Sequence, residues 1–245
     1  PKEYNGYKVY DSKGCQFCTE NAKNAIGFIN DITDYASIPF VDESDLITYI
    51  GENELSAFLA EVKKQSLYEE KSDLKIVYTA LHGTGNIPVR RMLEGMDVTI
   101  VKEQELPDGN FSTVRSPNPE EKGAYELALK YAQKENADII LVCDPDADRM
   151  GVGVAHNGEY VLLTGNQSGS VLIEYILSQL QAKGMMPKHP VMFNTVVTSD
   201  LGEKIAAKYG VETEKTLTGF KFIGEKVAKY EVNNEKQYVF GYEES

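Results

Sequence analysis

From Leu74 onward, short apolar runs alternate with amphipathic stretches of helical length, and this alternation limits the chain to sheets covered by helices. Leu74 to Thr79, Val98 to Val101 and Ile139 to Val142 read as strands, with a turn at His82-Gly83-Thr84-Gly85-Asn86 and a short helix from Pro88 to Leu93 between the first two. A Pro-, Gly-, Ser- and Asn-rich loop covers Leu106 to Pro119. Glu120 to Asn136 carries Ala124, Leu127, Ala128, Tyr131 and Ala132 on one helical stripe. Asn157-Gly158, between Gly151 to Ala155 and Tyr160 to Leu163, is a two-residue hairpin signal.

A second unit starts near Gly165. Helices are expected at Gln167 to Lys183, Leu201 to Tyr209 and Phe222 to Tyr230, and strands at Val191 to Phe193, Val211 to Leu217 and Tyr238 to Tyr242. The fold class is therefore α/β, with mixed parallel sheets covered by helices and repeated in successive similar domains. Residues 1–45 read as the C-terminal end of a first α/β domain, 46–165 as a second, and 166–245 as a third that stops short of a closing helix. A chain of 245 residues is long enough for two compact units or parts of three.

The formal charge is −13, which argues against a nucleic-acid or anionic-membrane surface, where a basic face is expected. No run nears the roughly 18 apolar residues of a membrane span, and the polar opening PKEYNGYKVYDSKG is no signal peptide. Three cysteines make a sparse, odd set that suits a reducing cytoplasm. The one C-x-x-C, Cys15 to Cys18, lacks the second pair or histidine cluster of a zinc site. The chain begins at Pro1, without an initiator Met, and reads as processed or as part of something longer.

The chemistry concentrates in Cys143 to Val152, CDPDADRMGV, directly after an apolar strand. Asp144, Asp146 and Asp148 alternate, so their oxygens can turn to one point, and hard oxygen ligands suit Mg²⁺ or Ca²⁺. A helix-loop-helix calcium site would need Gly and Glu where Arg149 and Ala155 stand. Arg149 can pair with a phosphate that the metal also approaches. A solvated acidic turn is the plain alternative.

Other segments are weaker singly. His82-Gly83-Thr84-Gly85 follows a strand and precedes a helix, so it can hold an anion, brace the neighbouring aspartates, or serve only as a glycine turn. TLTGFKF, Thr216 to Phe222, places Lys221 at a strand-to-helix junction, where it can meet a substrate phosphate or hydroxyl. Gly241-Tyr242-Glu243-Glu244-Ser245 offers two carboxylates and a hydroxyl, groups that grip sugar hydroxyls. Lys8, after the turn Tyr4-Asn5-Gly6-Tyr7, is a candidate acid or base.

In this order, the segments resemble the α-D-phosphohexomutase family of phosphoglucomutases and phosphomannomutases. PKEYNGYKVY is similar to the sequence after the family's active-site serine, in its motif T-A-S-H-N-P; CDPDADR resembles its metal loop, TLTGFKF its sugar-orienting loop, and GYEES the start of its sugar-hydroxyl loop. PDGNF, with Pro117-Asn118-Pro119-Glu120, resembles its second domain, and GYEES with TGFKF is most similar to the long phosphoglucomutase and phosphopentomutase branch.

The resemblance implies that Asp144, Asp146 and Asp148 hold Mg²⁺ and that Arg149 sits toward the phosphorylated serine. It implies that Lys8 is a general acid or base, that Thr218, Gly219 and Lys221 orient the sugar, and that Glu243 and Ser245 bind its hydroxyls. The nucleophilic serine is expected just before Pro1 and a closing fourth domain beyond Ser245, so these 245 residues alone are expected to be inactive. The whole protein would isomerise a hexose phosphate, glucose first, with a sugar bisphosphate as primer; its partner is a small sugar phosphate. Its alternatives are a phosphopentomutase, a Mg²⁺-dependent phosphatase, and a non-catalytic metal- and sugar-phosphate-binding piece.

Overall fold

A computed structural model describes residues 8–68 and 72–244; the opening turn Tyr4 to Tyr7 and Ser245 lie outside the described residues. Two helices come first, α1 (Thr19–Asn30) and α2 (Glu52–Lys64), neither with a buried residue. The first sheet follows: β1 (Lys75–Thr79), α3 (Asn86–Met92), β2 (Asp97–Ile100), α4 (Glu126–Glu135), β3 (Ile139–Cys143), β4 (Met150–His156) and β5 (Glu159–Leu163). Its order is β2-β1-β3-β4-β5. β1 pairs in parallel with β2 and β3, whereas β4 and β5 add on antiparallel. The hairpin between them turns on Asn157 and Gly158, both at positive φ (51° and 84°), as a two-residue turn of this twist requires.

The second unit holds α5 (Gly165–Ala182), β6 (Pro190–Thr195), α6 (Leu201–Lys208), β7 (Glu212–Thr216), α7 (Phe220–Asn233) and β8 (Gln237–Gly241). Its sheet is wholly parallel, in the order β7-β6-β8. In each unit the first strand thus lies between the second and the third. The strand order reverses at β1 and β3, and again at β6 and β8, while the strands themselves stay parallel. Open α/β sheets present ligand crevices at the carboxyl ends of strands flanking such a reversal.

Burial explains the layers. Val77 and Ile140 are register partners on one face of the first sheet, and with Val142 they pack under Ala128 and Ala132 of α4. The two alanines, one turn apart, let the helix approach closely. Central strand β6 is buried on both faces, as parallel strands between helices are. Val191 and Phe193 meet Ile223 and Tyr230 of α7, while Met192 meets Ile173 and Leu177 of α5 and Ala206 of α6.

Four helix starts differ from the sequence expectation, with α5 and α7 each beginning two residues earlier, at Gly165 and Phe220. α4 proper begins at Glu126, because Lys122–Tyr125 forms a tighter 3-10 turn whose Tyr125 hydroxyl donates to the Pro119 carbonyl. α3 begins two residues before Pro88; a proline loses nothing in a first turn, where backbone N–H groups have no helical partner. Among the described residues no helix is long and apolar enough to cross a membrane.

Glu214 of β7 fastens the second unit. Its carboxylate accepts from Lys226 Nζ (2.5 Å) and Tyr230 Oη (2.5 Å) of α7 and from Lys236 Nζ (2.8 Å) before β8. Burial works against its ionisation, but the bonds from Lys226, Lys236 and Tyr230 prevail and hold its pKa at about 2. A carboxyl depressed on folding adds stability that is complete above its unfolded value, about 4.3, and is lost as pH falls toward 2. Glu214→Gln is therefore expected to lower the urea midpoint at pH 6 and to shrink the further loss seen between pH 5 and pH 3. A loss over that range equal to the wild type's would contradict this role.

Candidate functional site

The loop between β3 and β4 joins two antiparallel strands whose last pair is Cys143 and Met150. Asp144 organises it. Its side-chain Oδ1 accepts from the Arg149 backbone N–H (2.9 Å), its Oδ2 from Arg149 Nε (3.1 Å), and its carbonyl from Ala147 N–H (3.0 Å). Ala147 takes a left-handed conformation (φ 57°) at the apex, which turns Asp146 and Asp148 back toward Asp144. One carboxylate oxygen from each of the three lies within 4.8 Å of the others. Among the described residues this is the only group of three or more His, Cys, Asp or Glu side chains so placed, and all three cysteines are free thiols.

The neighbouring turn braces the loop from below. Thr84 donates its backbone N–H (2.8 Å) and its hydroxyl (3.2 Å) to the Pro145 carbonyl. Gly83 is required here, because a Cβ would stand 2.3 Å from Pro145 Cα. The aspartate loop follows β3 and the His82 to Gly85 turn follows β1, so both sit at the reversal point of the first sheet.

Electrostatics divide the three carboxylates. Asp144 is fully buried, and burial, with Asp146 and Asp148 beside it, pushes its pKa up to about 6 against the Arg149 hydrogen bond. Asp146 is exposed and lies below the usual carboxylate range: some desolvation opposes this, but the hydrogen bond and charge of Lys8 outweigh it. Lys8 Nζ sits 2.6 Å from Asp148 Oδ2 and 2.9 Å from Asp146 Oδ2. Those two bonds, Asp148 first, raise the ammonium above its ordinary value, so Lys8 is protonated at neutral pH.

Arg149 is held on several sides. Besides Asp144 it meets Asn118 Oδ1 (3.2 Å) and Glu120 Oε1 (3.5 Å) through Nη1. Asn118 and Glu120 are positioning residues that sequence reasoning did not assign. Asn118 falls in the Pro-, Gly-, Ser- and Asn-rich loop read from the sequence, but nothing in the chain's linear order ties it to Arg149.

The second unit contributes at its own reversal point. Gly219, before α7, takes φ 122°, and its N–H donates to Glu243 Oε1 (2.6 Å), so the TLTGFKF loop is latched to the segment after β8. Thr218 is exposed, and Lys221, in the first turn of α7, lays its ammonium 5.1 Å from the Phe222 ring centre. Glu244, which the sequence offered only as one of two carboxylates, accepts from Thr198 (2.6 Å) and Thr195 (3.3 Å) and pins the loop after β6.

A small turn links the two units. Asp11 Oδ1 accepts from Lys13 N–H and Cys15 N–H, and Tyr10 pairs with Gln16. Lys8 at its start meets the aspartates, and Cys18 at its end donates a thiol hydrogen bond to the Lys221 carbonyl (3.4 Å). The structure therefore joins Lys8, Asp144, Asp146, Asp148 and Arg149 in one group and Gly219 with Glu243 in another, while the Lys221 side chain lies apart against Phe222, and one short segment touches both units.

Residues 56–158 match "Phosphoglucomutase/phosphomannomutase, alpha/beta/alpha domain II", and residues 164–245 match the alpha/beta/alpha domain III of the same family. A phosphomannomutase of Mycoplasmoides pirum is 31% identical over 251 residues, and a phosphoglucomutase of Staphylococcus aureus strain USA300 is 34% identical over 253. Each match covers 100% of this chain and 45% of the relative, so the chain spans under half their length. The fold matches a crystal structure from Thermus thermophilus with a TM-score of 0.64 at 21% identity, over 96% of this chain and 49% of that one. A phosphoglucomutase/phosphomannomutase family protein from Burkholderia thailandensis aligns at a TM-score of 0.55 and 18% identity, over 70% of this chain and 35% of that one. With both sheets matched to successive domains and relatives aligned along its whole length, the chain belongs to the phosphoglucomutase/phosphomannomutase family.

Proposed function

We propose that these residues form the metal loop and the sugar loops of a phosphohexomutase, which interconverts hexose 1-phosphate and hexose 6-phosphate, with glucose the first candidate sugar. The phosphoryl group passes from a phosphoserine to the free hydroxyl, and the resulting bisphosphate turns over and returns its other phosphate; a sugar bisphosphate primes the cycle. The observation that carries this reading is the meeting of Asp144, Asp146 and Asp148 with Lys8 and Arg149 at the reversal point of the first sheet. Three hard oxygen donors with no nitrogen or sulfur among them fit Mg²⁺. Bound there, Mg²⁺ would supply positive charge to the phosphoryl oxygens as they gain negative charge.

The chain's own side chains do the rest. Arg149 is held through Nε and Nη1, which leaves the Nη2 edge to meet a phosphate oxygen in fixed orientation. Lys8 carries a proton in its pairing with Asp146 and Asp148, and acts as the acid that donates it or, once a cation takes those oxygens, as the base that receives one. Thr218, Gly219 and Lys221 orient the sugar, and Glu243 accepts from its hydroxyls, together with Ser245, which lies outside the described residues. The sparse free thiols fit a cytoplasmic setting.

A pentose phosphate exchanged between C1 and C5 is the nearest variant. A phosphatase with an aspartyl nucleophile is not favoured, because Asp144, its nearest candidate, is buried and fully engaged by Arg149. Phosphorus NMR of the full-length protein with glucose 1-phosphate, Mg²⁺ and glucose 1,6-bisphosphate tests the proposal. Glucose 6-phosphate is the expected product; free phosphate as the main product would overturn it, and turnover of ribose 1-phosphate alone would move the substrate to pentoses.

Lys8 and the cation compete for the same two oxygens, and a unit charge about 4 Å away repels another by about 1 kcal/mol even in water. Lys8→Met is expected to tighten Mg²⁺ binding about fivefold in calorimetry, whereas Asp146→Asn, with one ligand charge fewer, should weaken it roughly tenfold. Equal affinities in all three proteins would remove the aspartate loop as the metal site.

A further inference from the structure

The turn His82 to Gly85 presses on the aspartate loop, and what holds that turn is a chain of side-chain hydrogen bonds running away from the site. Leu81 (φ 46°) and His82 (φ 65°) are consecutive non-glycine residues in the left-handed region, which such side chains seldom adopt unless the surroundings impose it. The surroundings here are polar and buried. Leu81 N–H donates to Thr79 Oγ1 (3.1 Å), Thr79 Oγ1 donates to Gln104 Oε1 (2.7 Å), and Gln104 Nε2 donates to Thr113 Oγ1 (3.2 Å). Thr113 Oγ1 lies 2.7 Å from His82 Nε2, and His82 Nδ1 lies 2.8 Å from the Leu106 carbonyl. The His82 backbone N–H meets the Gln104 carbonyl (3.0 Å).

The Leu106 carbonyl oxygen only accepts, so His82 Nδ1 donates to it, while Nε2 meets the Thr113 hydroxyl. Both ring nitrogens of His82 are thus partnered. The ring closes a network that ties β1, the segment after β2 and the long loop before α4 into one support. Buried networks of this kind rigidify their surroundings when every member is paired.

We propose that His82 is a positioning residue for the aspartate loop: its ring locks the strained turn, and Gly83 and Thr84 transmit that position to Pro145. The contact is close enough to transmit it, since Gly83 has no room for a methyl group against Pro145 and Thr84 clamps the Pro145 carbonyl twice. Pro145 lies between two of the three carboxylates, so its placement sets the separation of Asp144 from Asp146. Residues behind metal ligands commonly change metal affinity by 10- to 100-fold when removed, without touching the ion. The metal arm of this inference rests on the metal site proposed above; the positional arm does not.

The test combines hydrogen exchange and Mn²⁺ titration on this chain. The reporters are the backbone N–H groups of Thr84, Ala147 and Arg149, which bond to Pro145, Asp144 and Asp144 respectively, with β6 amides as an internal control. His82→Ala is expected to speed exchange at all three reporters about tenfold or more while β6 amides keep their rates, and to raise the Mn²⁺ dissociation constant about tenfold. Thr113→Val, which removes the hydroxyl that meets both His82 Nε2 and Gln104 Nε2 but keeps the ring and its bond to Leu106, should do the same to a smaller degree. His82→Asn, which tolerates positive φ and keeps a donor for Leu106, should restore most of both. Reporter exchange unchanged in His82→Ala and Thr113→Val would overturn the proposal, as would a uniform acceleration that includes β6. Faster reporters with unchanged Mn²⁺ affinity would overturn its metal arm. Absence of Mn²⁺ binding in the wild type would instead overturn the metal site itself, and exchange alone would then decide the positional claim.

Discussion

The pairing of Asp144 with Arg149 is the interaction on which the site depends. A fully buried carboxylate is costly unless its oxygens are occupied, and here one oxygen takes the Arg149 backbone N–H and the other its guanidinium. That double attachment closes the loop with Asp146 and Asp148 alongside Asp144. It also aims the arginine, whose far end is then fixed by Asn118 and Glu120. The same contact therefore shapes both the proposed cation site and the side chain proposed to meet phosphate. Three carboxylates gathered this closely repel one another, and Lys8 occupies the position where a cation relieves that repulsion.

The two sheets solve the same problem twice. Each places its first strand between its second and third, so that the strand order reverses there, and each lines that point with polar side chains. In the first unit these are His82 to Thr84 and the aspartates; in the second they are Thr195 and Thr198 after β6 and Glu243 and Glu244 after β8. In both, the loop after one strand is braced by the loop after its parallel neighbour: Pro145 by Thr84, and Glu244 by Thr198. The segment from Lys8 to Cys18 then touches the aspartate loop of the first unit and the first turn of α7 in the second.

The strands and the hairpin were legible because their signals are local. β3 is an apolar run ending in a charge, β6 is apolar on both faces, and Asn157-Gly158 supplies the positive φ angles its turn needs. The three aspartates were legible for the same reason, since alternation along a few residues is enough to converge their oxygens. α1 and α2 were not read, because neither buries a residue and their polar faces carry little pattern. The start of α4 was set too early, since the hold of Tyr125 on Pro119 depends on tertiary packing. Least legible were the supports: Asn118 lies 31 residues from Arg149, and Thr113 lies 31 from His82. Such bonds are made by topology, and the sequence shows only that polar residues are present.

The central claim is that Asp144, Asp146 and Asp148 form one divalent-cation site, and anomalous scattering from crystals of this chain grown with Mn²⁺ tests it most directly. The account predicts a single strong peak with an oxygen of each aspartate at coordination distance, about 2.0–2.6 Å, and Lys8 Nζ withdrawn from Asp146 and Asp148. A peak elsewhere in the molecule, or none while Lys8 stays paired with both carboxylates at saturating Mn²⁺, would contradict it.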